Sequence, residues 1–179
     1  MSFTLITGGV RSGKSSYAKT KAEALSDSPV FIATAKSVDQ DMEQRIRRHQ
    51  AERAESNWKT HEEGVELSKL IVELPAQQVV VIDCLTLWVS NLFEQLDVDL
   101  LEVEDLISER ANILAAQLNS YQGEAFVVTN EVGLGVHPHT ELGAKFADCL
   151  GRTNQILAEQ AKEVVFMVSG IPNGIKTCS

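Results

Sequence analysis

Short apolar runs alternate with amphipathic segments along this chain. The segments have helical period over residues 14–25, 39–54, 64–73, 85–95, 103–120 and 140–161. The apolar runs are rich in β-branched residues, and we predict strands buried on both faces at Phe3 to Thr7, Val30 to Ala33, Val79 to Ile82, Ala125 to Thr129 and Val164 to Val168. Alternation of strand and helix predicts an α/β protein with a mainly parallel sheet flanked by helices.

Residues 1–179 are predicted to form a single domain, since 44% hydrophobic content is ordinary for one well-buried core of this length. The acidic, leucine-rich stretch Leu96 to Asp105 is expected to be a solvated connection between two helices. Ligands of such sheets usually collect beyond the carboxyl ends of the strands. The chemistry-bearing motifs of this chain follow the predicted strands.

Charge and composition argue against several classes of function. There are 16 basic and 25 acidic residues, a net charge of -9, which argues against a nucleic-acid partner. No window approaches the ~20 apolar residues of a membrane span. The cysteines (Cys84, Cys149 and Cys178) share no metal-ligand spacing, so neither a zinc site nor a disulfide framework is indicated. We therefore expect a cytoplasmic protein.

A glycine-rich segment lies between the first predicted strand and the first predicted helix. It consists of Gly8, Gly9, Val10, Arg11, Ser12, Gly13, Lys14 and Ser15. The glycines allow successive N–H groups to point at phosphate oxygens, and the helix adds its positive end. Lys14 can lie between the β- and γ-phosphates, and the Ser15 hydroxyl can ligate Mg²⁺. The alternative is a chance glycine-rich turn, but the strand-before, helix-after context favours a nucleotide-binding P-loop.

Asp83 directly follows the apolar run Val79 to Ile82, so its carboxylate is predicted at the carboxyl end of a central strand. A Walker-B acid, which holds Mg²⁺ directly or through water, belongs at this place. The alternative role is to cap the helix that starts near Leu85. The presence of a P-loop favours the metal role.

The predicted helix 39–54 carries a basic face. Arg45, His49 and Arg53 recur every four residues, so they lie on one side of a helix. In an acidic chain this face suits a polyanion. A neutral imidazole nitrogen could attack a nucleotide α-phosphorus to give a phosphoramidate, with the arginines stabilising charge on the phosphoryl oxygens.

Spacing alone favours a simpler interpretation, in which a solvated basic helix face carries an incidental histidine. His61 is a rival nucleophile, although no comparable basic face surrounds it. His137 and His139 lie in a Gly/Pro-containing segment and could equally be exposed loop residues.

The order of these motifs resembles the bifunctional adenosylcobinamide kinase / adenosylcobinamide-phosphate guanylyltransferase family of cobalamin biosynthesis. The likeness covers nearly the whole chain. It rests on the segments Thr7 to Ser15, Ile32-Ala33-Thr34, Arg45-Ile46 followed by His49, Trp58, Asp83, Thr129-Asn130-Glu131-Val132-Gly133, Gly151-Arg152-Thr153-Asn154-Gln155 and Val168-Ser169-Gly170-Ile171-Pro172.

The resemblance implies a RecA-like P-loop NTPase fold and two reactions. Adenosylcobinamide is phosphorylated on its aminopropanol hydroxyl with ATP or GTP, and GMP is then transferred from GTP to that phosphate through a GMP-histidine intermediate. His49 takes the position of that histidine, which reverses the preference drawn from spacing alone. Lys14 is the expected catalytic residue of the kinase step, and Arg45 and Arg53 are expected phosphate partners.

The resemblance further implies a homotrimer. It also places a group of residues near the bound guanine nucleotide, comprising Thr34, Ala35, Lys36, Gln50, Ala51, Glu52, Arg53 and Glu62.

Three alternatives stay open at the level of residues. A P-loop small-molecule kinase without a covalent step would not need His49. A GTP-dependent switch is disfavoured because Asn130 to Gly133 lacks the Asn-Lys-x-Asp pattern that reads guanine. A RecA-like motor would need an arginine from a neighbouring subunit; Arg152 could serve, or it could pair with Asp148 one turn back.

Overall fold

A computed structural model of the chain describes residues 3–35, 57–95, 99–100 and 102–177. The predicted helix 39–54 lies outside the described residues. In chain order the described elements are β1 Thr4–Gly8, α1 Lys14–Glu23, β2 Val30–Ala33, β3 Lys59–Glu62, α2 Leu67–Glu73, β4 Val79–Asp83, α3 Leu85–Gln95, α4 Val103–Ser120, β5 Glu124–Val128, α5 Glu141–Gln160, β6 Glu163–Val168 and β7 Ile171–Lys176.

The strands form one seven-stranded sheet in the order β3-β2-β4-β5-β1-β6-β7. All neighbouring strands are parallel except β6 and β7, which pair antiparallel. Strand β5 lies between β1, which leads into the glycine-rich segment, and β4, which ends at Asp83. This order is that of RecA-like P-loop sheets and confirms the predicted α/β class.

Burial on both faces explains why the central strands could be predicted. Ile6 of β1 and Val81 of β4 pack with Ala18 of α1 on one face of the sheet. Leu5 and Val80 belong to the larger cluster on the other face, which includes α2 to α5. A strand covered on both sides has no polar positions to interrupt its apolar run. Within the described residues, no helix combines the length and apolarity that crossing a bilayer would require.

Strands β3 and β7 were not predicted. Both are edge strands whose residues are all exposed, so neither shows an apolar run or a buried face. β3 is polar throughout, and β7 contains Pro172 and Gly174, which interior strands avoid. A two-residue turn with positive φ at Ser169 (50°) and Gly170 (83°) joins β6 to β7, as in type I′ hairpins.

The predicted solvated connection at residues 96–105 is wrong at its carboxyl end. Helix α4 begins at Val103, which is buried in the core. The neighbouring Glu104 accepts a hydrogen bond from Lys145 Nζ at 2.8 Å and so attaches the first turn of α4 to α5. The helical period over residues 103–120 predicts this helix start correctly, and only the solvated connection extended across residues 103–105 is wrong.

Asn91 joins α3 to the loops that follow β2 and β3. It is 5% exposed, and its Nδ2 donates to the carbonyl oxygens of Thr34 and Gly64, both at 2.9 Å. These two carbonyls belong to segments that form the carboxyl edge of the sheet. A single buried amide therefore holds two of the loops at this edge in place.

We expect Asn91→Leu, which keeps the number of side-chain heavy atoms but removes both donors, to lower the free energy of unfolding by about 2–4 kcal/mol. The cause is that two buried carbonyls lose their hydrogen-bond donor. Urea denaturation measures the change, and Ser90→Ala on the same helix is the control, expected to change stability by less than about 0.5 kcal/mol. Equal denaturation midpoints for Asn91→Leu and wild type would contradict this role.

Candidate active site

The segment between β1 and α1 forms a loop that leads directly into the first turn of α1. Arg11 (φ 57°) and Gly13 (φ 95°) adopt positive φ, and Ser12 N donates to Gly9 O at 3.3 Å to close a turn. Gly13 is the N-cap of α1 and provides no side-chain cap. Since the first N–H groups of a helix have no intrahelical acceptors, they are available to an anion at this place.

The glycine at position 8 is required by a close backbone approach. Its φ is +147°, and a Cβ here would lie 2.5 Å from the carbonyl oxygen of Met167 and 2.9 Å from Ser12 Oγ. The loop also contacts the β6–β7 turn, because Gly170 N donates to Ser12 O at 2.9 Å. The neighbouring strand β6 and its turn therefore support the glycine-rich loop.

Lys14 folds back into this loop. It is 7% exposed, and its Nζ donates to Gly9 O at 2.6 Å and lies 3.4 Å from Ser12 Oγ. Burial lowers the pKa of Lys14, while the charges of Cys84 and Asp83 act in the opposite direction. The ammonium is thus desolvated and close to the end of β4. A desolvated cation whose partners are neutral oxygens has a strong electrostatic attraction for an incoming anion.

Asp83 ends β4 and is partly buried. Its charge opposes the lowering of the Lys14 pKa by burial, so the two side chains lie near each other at the carboxyl edge of the sheet. The roles of metal ligand and of helix cap for Asp83 both stay predictions.

The donor set fits Mg²⁺ held jointly with a nucleotide. The Ser15 hydroxyl lies in the first turn of α1, and the Asp83 carboxylate ends β4. Both are hard oxygen ligands, and Mg²⁺ is commonly bound by one or two protein oxygens together with substrate phosphates. In the part of the chain that the structure describes, no group of three or more His, Cys, Asp and Glu side chains forms a separate metal cage.

Three more predicted site residues, Thr34, Ala35 and Glu62, lie at the same edge. In the sheet register Ala33 of β2 is flanked by Glu62 of β3 and Asp83 of β4. Glu62 is exposed, and Ala35 is partly buried beyond the end of β2. Lys36, Arg45, His49, Gln50, Ala51, Glu52 and Arg53 lie outside the described residues.

Thr34 differs from the others because its side chain is used within the protein. It is 0% exposed. Its Oγ1 donates to Cys84 O at 2.8 Å and accepts from Cys84 N at 2.6 Å, and its own backbone N donates to Asp83 O at 3.2 Å. Thr34 therefore ties the end of β2 to the end of β4. Its place near a nucleotide stays a prediction, and the geometry gives it a positioning role for Asp83.

The structure brings a further segment into the site, for which the sequence analysis proposed no chemical role. Glu131 N donates to Gly8 O at 3.0 Å, so the loop after β5 touches the first residue of the P-loop. Asn154 of α5 holds this segment, since its Nδ2 donates to Asn130 O at 3.0 Å and its Oδ1 accepts from Thr129 Oγ1 at 2.7 Å. The available signal was the run of polar residues directly after a buried strand.

Arg152 is exposed on the same helix, and its Nη1 lies 3.4 Å from Gln155 Oε1. This contact lies within its own helix, and among the described residues it takes the place of the pairing with Asp148 that the sequence offered as one alternative.

Fold and site together define a P-loop nucleotide-binding protein of the α/β class. The model of the cobinamide kinase / cobinamide phosphate guanyltransferase family matches residues 4–175. The chain belongs to this family.

Similar proteins include the bifunctional adenosylcobalamin biosynthesis protein CobP of Pseudomonas aeruginosa, 38% identical over 173 residues and covering 96% of each chain. The bifunctional adenosylcobalamin biosynthesis proteins CobU of Escherichia coli and Salmonella typhimurium are 37% and 36% identical, each match covering 96% of this chain and 98% of the relative. Both the matched family and these relatives are bifunctional, which agrees with the kinase and transferase reactions that the resemblance implied.

We expect Gly8→Ala to lower the free energy of unfolding by about 2 kcal/mol or more, because the new Cβ meets backbone and the φ is unfavourable for alanine. Gly9→Ala is the matched control, since nothing lies within 4 Å of a Cβ there. Urea denaturation without nucleotide compares the two. The same midpoint for both variants would show that the close approach at Gly8 is unimportant.

The buried thiols should be unreactive in the native protein. Burial and the nearby Asp83 raise the pKa of Cys84 to about 11, and burial and Glu104 raise the pKa of Cys149 to about 11. At pH 8 only about one thiol in a thousand is then ionised. We expect iodoacetamide at pH 8 to spare both cysteines in the native protein and to alkylate both in urea, as read by peptide mass spectrometry. Rapid native alkylation of Cys84 would contradict its burial behind Asp83.

Proposed function

We propose that this chain catalyses both reactions of its family on one nucleotide region. It phosphorylates adenosylcobinamide with ATP or GTP, and it then transfers GMP from GTP to adenosylcobinamide phosphate, giving adenosylcobinamide-GDP. The observation that supports this most directly is the buried Lys14 within a P-loop, close to Asp83, in a chain that matches the bifunctional family over residues 4–175.

In the kinase reaction the chain binds and orients the phosphates. The N–H groups at the start of α1 receive phosphate oxygens, and Lys14 exchanges its neutral partner Gly9 O for the β- and γ-phosphates. The substrate hydroxyl oxygen then forms a bond to the γ-phosphorus and loses its proton to solvent, and the bond from that phosphorus to the β-phosphate oxygen breaks, so that the nucleoside diphosphate leaves. Mg²⁺, when bound by Ser15 and Asp83, supplies charge neutralisation on the phosphates. Positioning and electrostatics therefore account for this step.

In the transferase reaction we assign the nucleophile to His49. A neutral imidazole nitrogen attacks the α-phosphorus of GTP, and the bond to pyrophosphate breaks, so that a phosphoramidate forms. An oxygen of adenosylcobinamide phosphate then attacks the same phosphorus, and the phosphorus–nitrogen bond breaks to restore the imidazole. Arg45 and Arg53, four residues before and after His49 in the sequence, are the proposed partners of the phosphoryl oxygens.

Glu62 extends the proposed nucleotide region toward β3. It lies in register beside Ala33 of β2, and Asp83 lies beside Ala33 on the other side, so that one strand separates Glu62 from Asp83. Its exposed carboxylate at the carboxyl edge is compatible with a contact to the guanine base, whose ring N–H and amino groups are donors. We also propose that the protein is a homotrimer that works in the cytoplasm with Mg²⁺.

The test for the covalent step uses GTP labelled at the α-phosphorus, incubated with the protein in the absence of corrinoid. We expect label on wild type after denaturing electrophoresis, released by acid and retained in alkali, as for a phosphoramidate. His49→Ala should carry at least about a hundredfold less label, since no other group is proposed to attack the α-phosphorus.

His61→Ala is the matched control, because His61 is the rival histidine and lies exposed on the edge strand β3. We expect it to retain the label. Loss of label in His61→Ala with retention in His49→Ala would move the nucleophile to β3. Absence of label on wild type would remove the transferase proposal and leave a P-loop kinase without a covalent step.

A further inference from the structure

The loop between β5 and α5, whose start contacts the P-loop, exposes large apolar side chains. Leu134 is 76% exposed and Val136 is 87% exposed. Neither side chain contributes to the core. Large apolar side chains exposed on one short loop are candidates for contact with an apolar ligand.

Hydrogen bonds and packing fix this loop at both of its ends. At its start Asn130 N donates to Thr86 Oγ1 at 3.0 Å, and Val132 packs against the core. At its end Thr140 Oγ1 accepts from Gly143 N at 3.1 Å and caps α5. A short turn, Gly135 N to Val132 O at 3.2 Å, lies between them. The exposure of Leu134 and Val136 is therefore a property of an anchored loop.

The loop is continuous with the phosphate site. Strands β5 and β1 are neighbours in the sheet, and Glu131 N donates to Gly8 O, which places the start of the loop against the P-loop. Val10 of the P-loop is also exposed. A substrate whose hydroxyl reaches a γ-phosphate held by Lys14 must place the rest of its body close to this edge.

The side chains of the loop combine two chemistries. Leu134 and Val136 are apolar, while His137 and His139 are exposed and offer ring N–H donors. A corrinoid has a broad apolar ring and amide groups around its periphery. Small-molecule sites use the same combination of apolar contact with a few polar groups that fix orientation.

We propose that the loop spanning residues 133–140 receives the corrinoid ring of adenosylcobinamide, with Leu134 and Val136 against the ring and His137 and His139 near its amides. The inference rests on the proposed kinase function. It names the specificity surface of that site and assigns the loop no part in phosphoryl transfer.

The test compares the double variant Leu134→Ser/Val136→Ser with the control double variant Leu25→Ser/Val72→Ser. The control residues are 57% and 65% exposed, and they follow α1 and end α2 at the opposite, amino edge of the sheet. Steady-state kinase assays give the KM for adenosylcobinamide and the KM for ATP separately. Equilibrium dialysis of the coloured adenosylcobinamide measures its affinity without any reaction.

We expect the loop variant to raise both the KM and the Kd for adenosylcobinamide by about tenfold or more, because apolar contact with the ring is lost. The KM for ATP and the labelling by α-labelled GTP should stay within about twofold of wild type, and the Tm within about 2 °C. The control variant should match wild type within the same limits in every measurement.

An unchanged corrinoid Kd in the loop variant would overturn the inference. A changed oligomeric mass in light scattering, seen in the loop variant and not in the control, would also overturn it, since Leu134 and Val136 would then contact another copy of the chain. Failure of the proposed function is distinguishable, because wild type would then bind adenosylcobinamide without phosphorylating it, and the dialysis comparison would still decide the role of the loop.

Discussion

The phosphate loop depends on backbone hydrogen bonds to the neighbours on both of its sides. Glu131 N, after β5, donates to Gly8 O, and Gly170 N, in the β6–β7 turn, donates to Ser12 O. These bonds need a close approach that only glycine at position 8 permits. The loop shape that lets N–H groups and Lys14 face an anion is therefore set by three adjacent strands together.

The same constraint organises the rest of the carboxyl edge. Thr34 binds both backbone groups of Cys84 and so fixes the strand end that presents Asp83. Asn154 fixes the segment after β5 from the helix side. The side chains of Thr34, Thr129 and Asn154 at these strand ends are buried and paired. Lys14 and Asp83 are the charged side chains that this framework places beside the phosphate loop. Buried hydrogen bonds thus provide the geometry, and two charged side chains provide the chemistry.

The elements that could be predicted from the sequence are those whose signal lies within a short contiguous segment of the chain. β1 and β4 are buried on both faces, so their apolar runs were visible, and the P-loop is contiguous in the chain. The edge strands β3 and β7 have no buried face and gave no such signal. Thr34 shows a different limit, because its partner Cys84 is fifty residues away in sequence and only the sheet order brings them together. Hydroxyl groups that follow a strand can bind a ligand or brace a neighbour, and sequence spacing does not distinguish the two.

Two reactions on one nucleotide region require that different residues act on different phosphorus atoms. Lys14 and the start of α1 surround the terminal phosphates in this account, whereas His49 acts on the α-phosphorus. The chain has a net charge of -9. Because this charge repels anions overall, anion binding depends on where these cations are placed. Because different residues act on the two phosphorus atoms, we expect a single substitution to separate the two activities.

The most direct test of that division follows both phosphorus atoms in one enzyme. His49→Ala is supplied with adenosylcobinamide and with GTP labelled in parallel reactions at the γ- or the α-phosphorus, and the corrinoid products are separated by chromatography. We expect γ-label in adenosylcobinamide phosphate at the wild-type rate and no α-label in any corrinoid product. Transfer of α-label by His49→Ala, or equal loss of both labels in a folded variant, would contradict it.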